Sequence, residues 1–229
     1  EYVHRLLGRL IGLAYALPLL WFWTRRAIPE GYKPRLLALL MLGGLQGTIG
    51  WWMVSSGLVG RTEVAHERLA VHLFTALTIM AGCIWTALDL LQADKPSNAR
   101  PRSELFAARP RRWVIPFAIL LAVQIIWGAF VAGMRAGHAS DTWPLMFGRL
   151  VPEGLVTTAG DLINSAVTVH FLHRSLAYVV AASALYIALQ LWRAGAGMRA
   201  LALGGAVLAQ FALGVATVLS GVAIPLGVA

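Results

Sequence analysis

Apolar residues run through this chain in long unbroken stretches, without the one-faced or alternating patterns of a soluble fold. Six stretches lie near residues 3 to 24, 36 to 58, 66 to 91, 113 to 134, 164 to 192 and 199 to 221. Each is long enough to cross a hydrocarbon core about 30 Å thick, which takes about 20 residues of helix. The links near residues 25 to 35 and 59 to 65 are short, whereas residues 92 to 112 are polar and rich in Pro and Arg. That third link reads as a hinge between two halves. The pattern predicts an all-α polytopic membrane protein with an N-terminal half at 1–91, a linker at 92–112 and a C-terminal half at 113–229.

Composition agrees. With 59% hydrophobic and 13% charged residues and a mean hydropathy of +0.71, the 229 residues cannot hide their apolar side chains in one soluble core, so lipid is the expected solvent. The formal charge of +9 would point to nucleic acid in a soluble protein. Here the basic residues cluster between apolar runs, as in cytoplasmic loops, and no nucleic acid is expected. Arg25, Arg26, Lys33 and Arg35 follow the first run; Lys95, Arg100, Arg102, Arg109, Arg111 and Arg112 follow the third; Arg193 and Arg199 separate the fifth from the sixth. These links belong inside. The alternate links, holding Arg61, Arg135 and Arg149 with Trp51, Trp52 and Trp143, belong outside. The single cysteine, Cys83, lies within an apolar run, so neither a disulfide framework nor a thiolate cluster is expected.

The chain also repeats itself. Glu1-Tyr2-Val3-His4-Arg5 matches His170-Phe171-Leu172-His173-Arg174 at an offset of 169 residues, and each opens an outside-to-inside run. Gln followed four residues later by Gly occurs at Gln46 and Gly50, at Gln124 and Gly128, and at Gln210 and Gly214; the first and third copies share Ser56-Gly57 and Ser220-Gly221. Glu1 without a preceding methionine and Ala229 directly after an apolar segment read as cut ends. A second half built like the first would then place its matching histidine just past Ala229.

All six histidines, His4, His66, His72, His138, His170 and His173, fall at outer helix ends or in an outer loop. Imidazole is the commonest side-chain metal ligand, and facing helices of a membrane bundle hold haem iron between paired histidines. Interfacial histidines also serve headgroups and loop carbonyls, and the repeat singles out His4 and His173. One turn beyond three histidines the same face carries a small residue: Gly8 after His4, Ala76 after His72 and Ala177 after His173. A flat macrocycle needs that space, although small residues alone also serve close helix packing. His66 and His72 are six residues apart, about 240° around a helix, so both cannot face one axis. His72 is deeper and has the small neighbour, which makes it the candidate ligand.

Glu1 stands three residues before His4 where the second half has His170. A carboxylate beside a metal centre accepts a proton or stabilises positive charge; a helix N-terminal acid favoured by the dipole is the plainer role. Arg5, Arg9 and Arg174 are candidates for haem propionates, or simply snorkel.

These residues resemble the haem A synthase family, membrane enzymes that oxidise a methyl group of haem O to the formyl group of haem A. The likeness is carried by Glu1-Tyr2-Val3-His4-Arg5 with Gly8-Arg9-Leu10-Ile11-Gly12-Leu13, by residues 46 to 58 from Gln46 to Leu58, by Arg68-Leu69-Ala70-Val71-His72-Leu73, by Asp141-Thr142-Trp143-Pro144-Leu145-Met146 and by Phe171-Leu172-His173-Arg174. Several short motifs in order are far more specific than one. The resemblance implies eight helices in two four-helix halves, of which six are present here. It implies haem O as substrate in the N-terminal half, with Glu1 catalytic, His4 and His72 as iron ligands, and Gly8, Arg5 and Arg9 beside the haem. It implies haem b as cofactor in the C-terminal half, with His173 as ligand and Arg174 and Ala177 beside it. It further implies the inner membrane of a bacterium, with haem sites toward the periplasm and a type without an outer-loop cysteine pair. Haem O synthase, an electron donor and a second copy of the chain are candidate partners. Two other readings compete on the residues alone: a di-haem electron-transfer cytochrome, which needs no acid at Glu1, and a transporter built from repeats.

Overall fold

A computed structural model describes residues 2–57, 64–93 and 108–227 of the chain. Among the described residues it is helical apart from its links. The helices are α1 (Tyr2–Thr24), α2 (Tyr32–Ser55), α3 (His66–Ala93), α4 (Ala108–Gly133), α5 (Asp161–Asn164), α6 (Ala166–Arg193), α7 (Gly197–Leu219) and α8 (Ile224–Gly227), with a 3-10 turn at Ala136–Ala139. Six of them, α1 to α4, α6 and α7, are long and apolar enough to span a membrane. The protein is an all-helical, multi-pass membrane protein.

The helix ends depart from the apolar runs where local chemistry dictates. α2 begins at Tyr32, ahead of its apolar run, because Gly31 turns the chain at φ 82° and Pro34 sits in the first turn, where a missing N–H costs nothing. α6 starts at Ala166, where the Ser165 side chain accepts from the Thr168 N–H at 3.3 Å and caps the helix.

The chain divides into two compact units, Glu1–Pro96 and Ser97–Ala229. In the first, α2 packs antiparallel on α3, and α1 lies against α2. Tyr15 Oη donates to the Leu36 carbonyl at 3.0 Å, tying α1 to α2. Leu39 of α2 fits against Gly82 of α3, where a Cβ would come within 2.7 Å of Leu39 Cδ2. Between helices in lipid the hydrophobic effect is weak, so such small-residue contacts carry the packing. At the same end Arg35 Nη1 donates to Asp89 Oδ2 at 2.7 Å and stacks over Trp85 at 4.1 Å. The outward faces stay apolar and exposed, as with Ile11 at 68% and Leu20 at 62%, which suits lipid contact.

In the second unit α6 runs through the middle, between α4 and α7, and buries Val169, Val180, Ala184, Ile187 and Ala188. Gly204 of α7 lets that helix approach Ala188, and Tyr178 packs on Phe211 with ring centres 5.3 Å apart. The link between α4 and α6 folds back over the start of α6. Met146 is buried and exchanges backbone hydrogen bonds with Arg149, and Thr168 Oγ1 donates to the Leu155 carbonyl.

Candidate functional site

The first unit brings two of its histidines together. His4 lies at the start of α1 and His72 nearly two turns into α3, at the end where α2 finishes with Trp51 and Trp52. Their ring centroids are 6.4 Å apart and the planes cross at 72°. A nitrogen-to-metal bond is about 2 Å, and an imidazole nitrogen lies about 1 Å from its ring centre. Two imidazoles gripping one metal from opposite sides therefore stand about 6 Å apart between centroids. The observed spacing fits a bis-histidine iron, and rotation about the metal axis leaves the angle between the rings unrestricted. The position of a Cβ on Gly8, one turn along from His4, meets nothing within 4 Å, so that face is open beside the histidine pair. Among the described residues no group of three or more His, Cys, Asp or Glu side chains converges as a cage for a bare ion.

His72 is held by α2. Gln46 Nε2 donates to the His72 carbonyl at 2.9 Å, and the imidazole rests on Gly50, where a Cβ would lie 2.9 Å from Cε1. The second unit repeats the contact: a Cβ on Gly128 of α4 would lie 3.0 Å from Cε1 of His173 on α6. The Gln124 backbone carbonyl faces the His173 ring. In both places Nδ1 of the histidine is buried without completing a hydrogen bond, which is the atom a metal-bound imidazole offers to its surroundings.

The remaining predicted residues are distributed as follows. Glu1 lies outside the described residues. Arg5 and Arg9 are exposed along the first turns of α1, on the stretch that presents His4. Arg174, a candidate for haem propionates, donates from Nη2 to the carbonyls of Thr142 at 2.9 Å and Pro144 at 3.2 Å, and its Nη1 is buried without a hydrogen bond. Ala177 lies one turn beyond His173 on α6. His66 turns to Glu67, with Nε2 3.4 Å from Oε1. His170 is buried at 2% exposure. His138 sits in the 3-10 turn, at an open depression of about 380 Å³ lined also by Ser140, Asp141, Thr142 and Phe147.

Two contributors were not legible as site residues. The Gln and Gly spacing was visible in the sequence, but its link to His72 and His173 is tertiary, across neighbouring helices. Arg68 is the other: Nη1 donates to the Trp52 carbonyl at 2.7 Å, and the guanidinium stacks over the Trp52 ring at 4.6 Å, fixing the end of α2 one turn before His72.

Comparison with known proteins identifies the family. The chain is 47% identical over 225 residues to the heme A synthase of Sphingopyxis alaskensis, covering 97% of this chain and 62% of that protein. It is 46% identical over 237 residues to the heme A synthase of Rhodospirillum centenum, covering 100% and 62%, and 46% identical over 232 residues to that of Rhizorhabdus wittichii, covering 100% and 65%. The chain thus spans a little under two thirds of these relatives. No solved structure matches it. The COX15-CtaA profile, described as cytochrome oxidase assembly protein, matches residues 1–229, and the chain belongs to that family.

Proposed function

We propose that this chain is the histidine-bearing part of a haem A synthase in a bacterial inner membrane, with its haem sites on the periplasmic side. The observation that carries the reading is the His4 and His72 pair at 6.4 Å, in a chain whose relatives bear the name heme A synthase. His4 and His72 would hold haem O, the substrate. His173 would hold a haem b cofactor, with its second ligand on a helix outside residues 1–229. The basic ends of the helices and their alternation support the orientation.

Taking a methyl to a formyl group is a four-electron oxidation of the carbon, so the site must pass on electrons and protons together. When bound, haem supplies the redox capacity. The protein's own contribution is positional and electrostatic. His4 and His72 fix the macrocycle from two helices, and Gly8 leaves it room. Glu1, three residues before His4, takes up a proton released at the reacting carbon or offsets positive charge there. Arg5 and Arg9 offer charge to propionates, while Arg174 has only Nη1 left for that role.

The reading is tested by expressing the full-length protein beside a haem O source and identifying extracted haem. Haem A or a hydroxylated precursor is expected from the wild type, and neither would remove the enzyme reading. Glu1→Gln is expected to keep bound haem and lose product. Loss of the haem itself would make Glu1 structural.

A further inference from the structure

The Gln and Gly pairs match one another more closely in space than in sequence. On α2, Gln46 and Gly50 lie one turn apart on the face that meets His72, with Gln46 Nε2 on the His72 carbonyl; on α4, Gly128 meets the His173 ring and the backbone carbonyl of Gln124, one turn before it, faces the same ring. Both contacts place Cε1 nearest the glycine, at 2.9 and 3.0 Å from where a Cβ would be, with Nδ1 next at 3.4 and 3.6 Å. A Cβ at 2.9 Å is closer than real Cβ atoms come and one at 3.0 Å is tighter than nearly all of them, so glycine is what lets the Cε1 edge of each ring approach the helix backbone. Both also leave the same two buried atoms unpaired: the carboxamide oxygens of Gln46 and Gln124, and the Nδ1 atoms of His72 and His173. These are complementary. An imidazole bound to metal through Nε2 carries its proton on Nδ1, and a carboxamide oxygen accepts it.

A third copy is present on α7. Gln210, Gly214, Ser220 and Gly221 keep the spacing of Gln46, Gly50, Ser56 and Gly57. The serines behave alike. Ser56 Oγ donates to the Met53 carbonyl and accepts from the Ala65 N–H at 2.9 Å; Ser220 Oγ donates to the Thr217 carbonyl and accepts from the Ala223 N–H at 3.2 Å. The third copy differs in being uncovered: nothing lies within 4 Å of the Cβ position of Gly214, and Gln210 and Gly214 are both exposed where the residues of the other two pairs are half-buried.

We infer that Gln-x-x-x-Gly is a histidine seat, filled by His72 and by His173, and that Gln210 and Gly214 form a third seat, open in residues 1–229, for the imidazole that completes the His173 pair. The working unit is thus a two-helix hairpin, a seat helix followed by a histidine helix: α2 with α3, and α4 with α6. In each, glycine sets how near the ring approaches the helix, and glutamine fixes its rotation. These are positioning residues, and the inference rests on the haem reading above.

The experiment uses the full-length protein purified with its haem, read by optical and electron paramagnetic resonance spectra and by haem retained per protein. Gly50→Ala is expected to weaken retention about 10-fold, the scale for groups that orient metal ligands, at the same haem that His72→Met loses. Gly128→Ala should do so at the haem His173→Met loses, and Gly214→Ala should reproduce the Gly128→Ala spectrum. Gly47→Ala, on α2 with nothing within 4 Å, should leave both spectra as in the wild type. Should Gly50→Ala fold poorly, Gln46→Leu, which adds no bulk under the ring, carries the same expectation. Normal spectra and retention in the seat variants, with loss in His72→Met and His173→Met, overturn the seats. An unaltered Gly214→Ala spectrum overturns the third. Unchanged spectra in the histidine variants themselves overturn the haem reading and the seats with it.

Discussion

Arg174 Nη2 reaches the carbonyl oxygen of Thr142 at 2.9 Å, across 32 residues of sequence and one helix position after His173. The same nitrogen reaches the Pro144 carbonyl at 3.2 Å, so one guanidinium gathers the loop that covers the start of α6. Hydrogen bonds from a charged donor contribute more than neutral ones. Arg174→Met is therefore expected to lower stability by about 1–2 kcal/mol and to open the loop around Thr142 to protease. Thermal unfolding in detergent and limited proteolysis check this. An unchanged melting temperature and cleavage pattern would show that the loop holds by its own contacts.

Arg35 and Asp89 form the corresponding tie at the other end of α2 and α3, with side-chain exposures of 26% and 17%. A partly buried pair couples more strongly than an exposed one. A double-mutant cycle with Arg35→Met and Asp89→Leu is expected to give a coupling of about 1–2 kcal/mol. A coupling near zero would mean that Arg35 acts through its stacking on Trp85 alone.

Asp161 caps the turn before α6. Its Oδ2 accepts from Thr157 Oγ1 at 2.7 Å and from the backbone N–H groups of Thr158 at 2.7 Å and Thr157 at 2.8 Å. The hydrogen bond from the Thr157 side chain, then those from the two backbone amides, hold its carboxyl down to about 2 from the usual 3.8. A carboxylate depressed in the folded state stabilises it above the unfolded value and loses that effect as pH falls through the folded one. Amide exchange at Thr157 and Thr158 should thus be protected evenly from pH 8 to 5, after correction for intrinsic exchange. Protection should fall between about pH 4 and 2. Asp161→Asn should abolish that acid step, and a step persisting in the variant would assign it elsewhere.

Much of this was legible in the sequence because lipid imposes a simple rule: about 20 apolar residues make a span, and all six runs became helices. The end of each helix was less legible, since Gly31 and Ser165 act through one dihedral angle and one side-chain bond. His72 could be preferred to His66 in advance because the 3.6-residue period keeps the two off one face and His72 is the deeper, with the small Ala76 one turn beyond. What could not be read was which neighbouring helix supports each ring. Gly50 is 22 residues from His72 and Gly128 is 45 from His173, and only packing joins them. Arg174 teaches the same lesson, for its charge was visible and the loop it binds was not.

In the proposed function His4 and His72 grip one iron between α1 and α3. Low-temperature electron paramagnetic resonance of the ferric full-length protein tests it most directly, with the wild type beside His4→Ala and His72→Ala. One low-spin bis-imidazole signal that each variant removes is expected, while the signal that depends on His173 persists. A wild-type spectrum in either variant would contradict it.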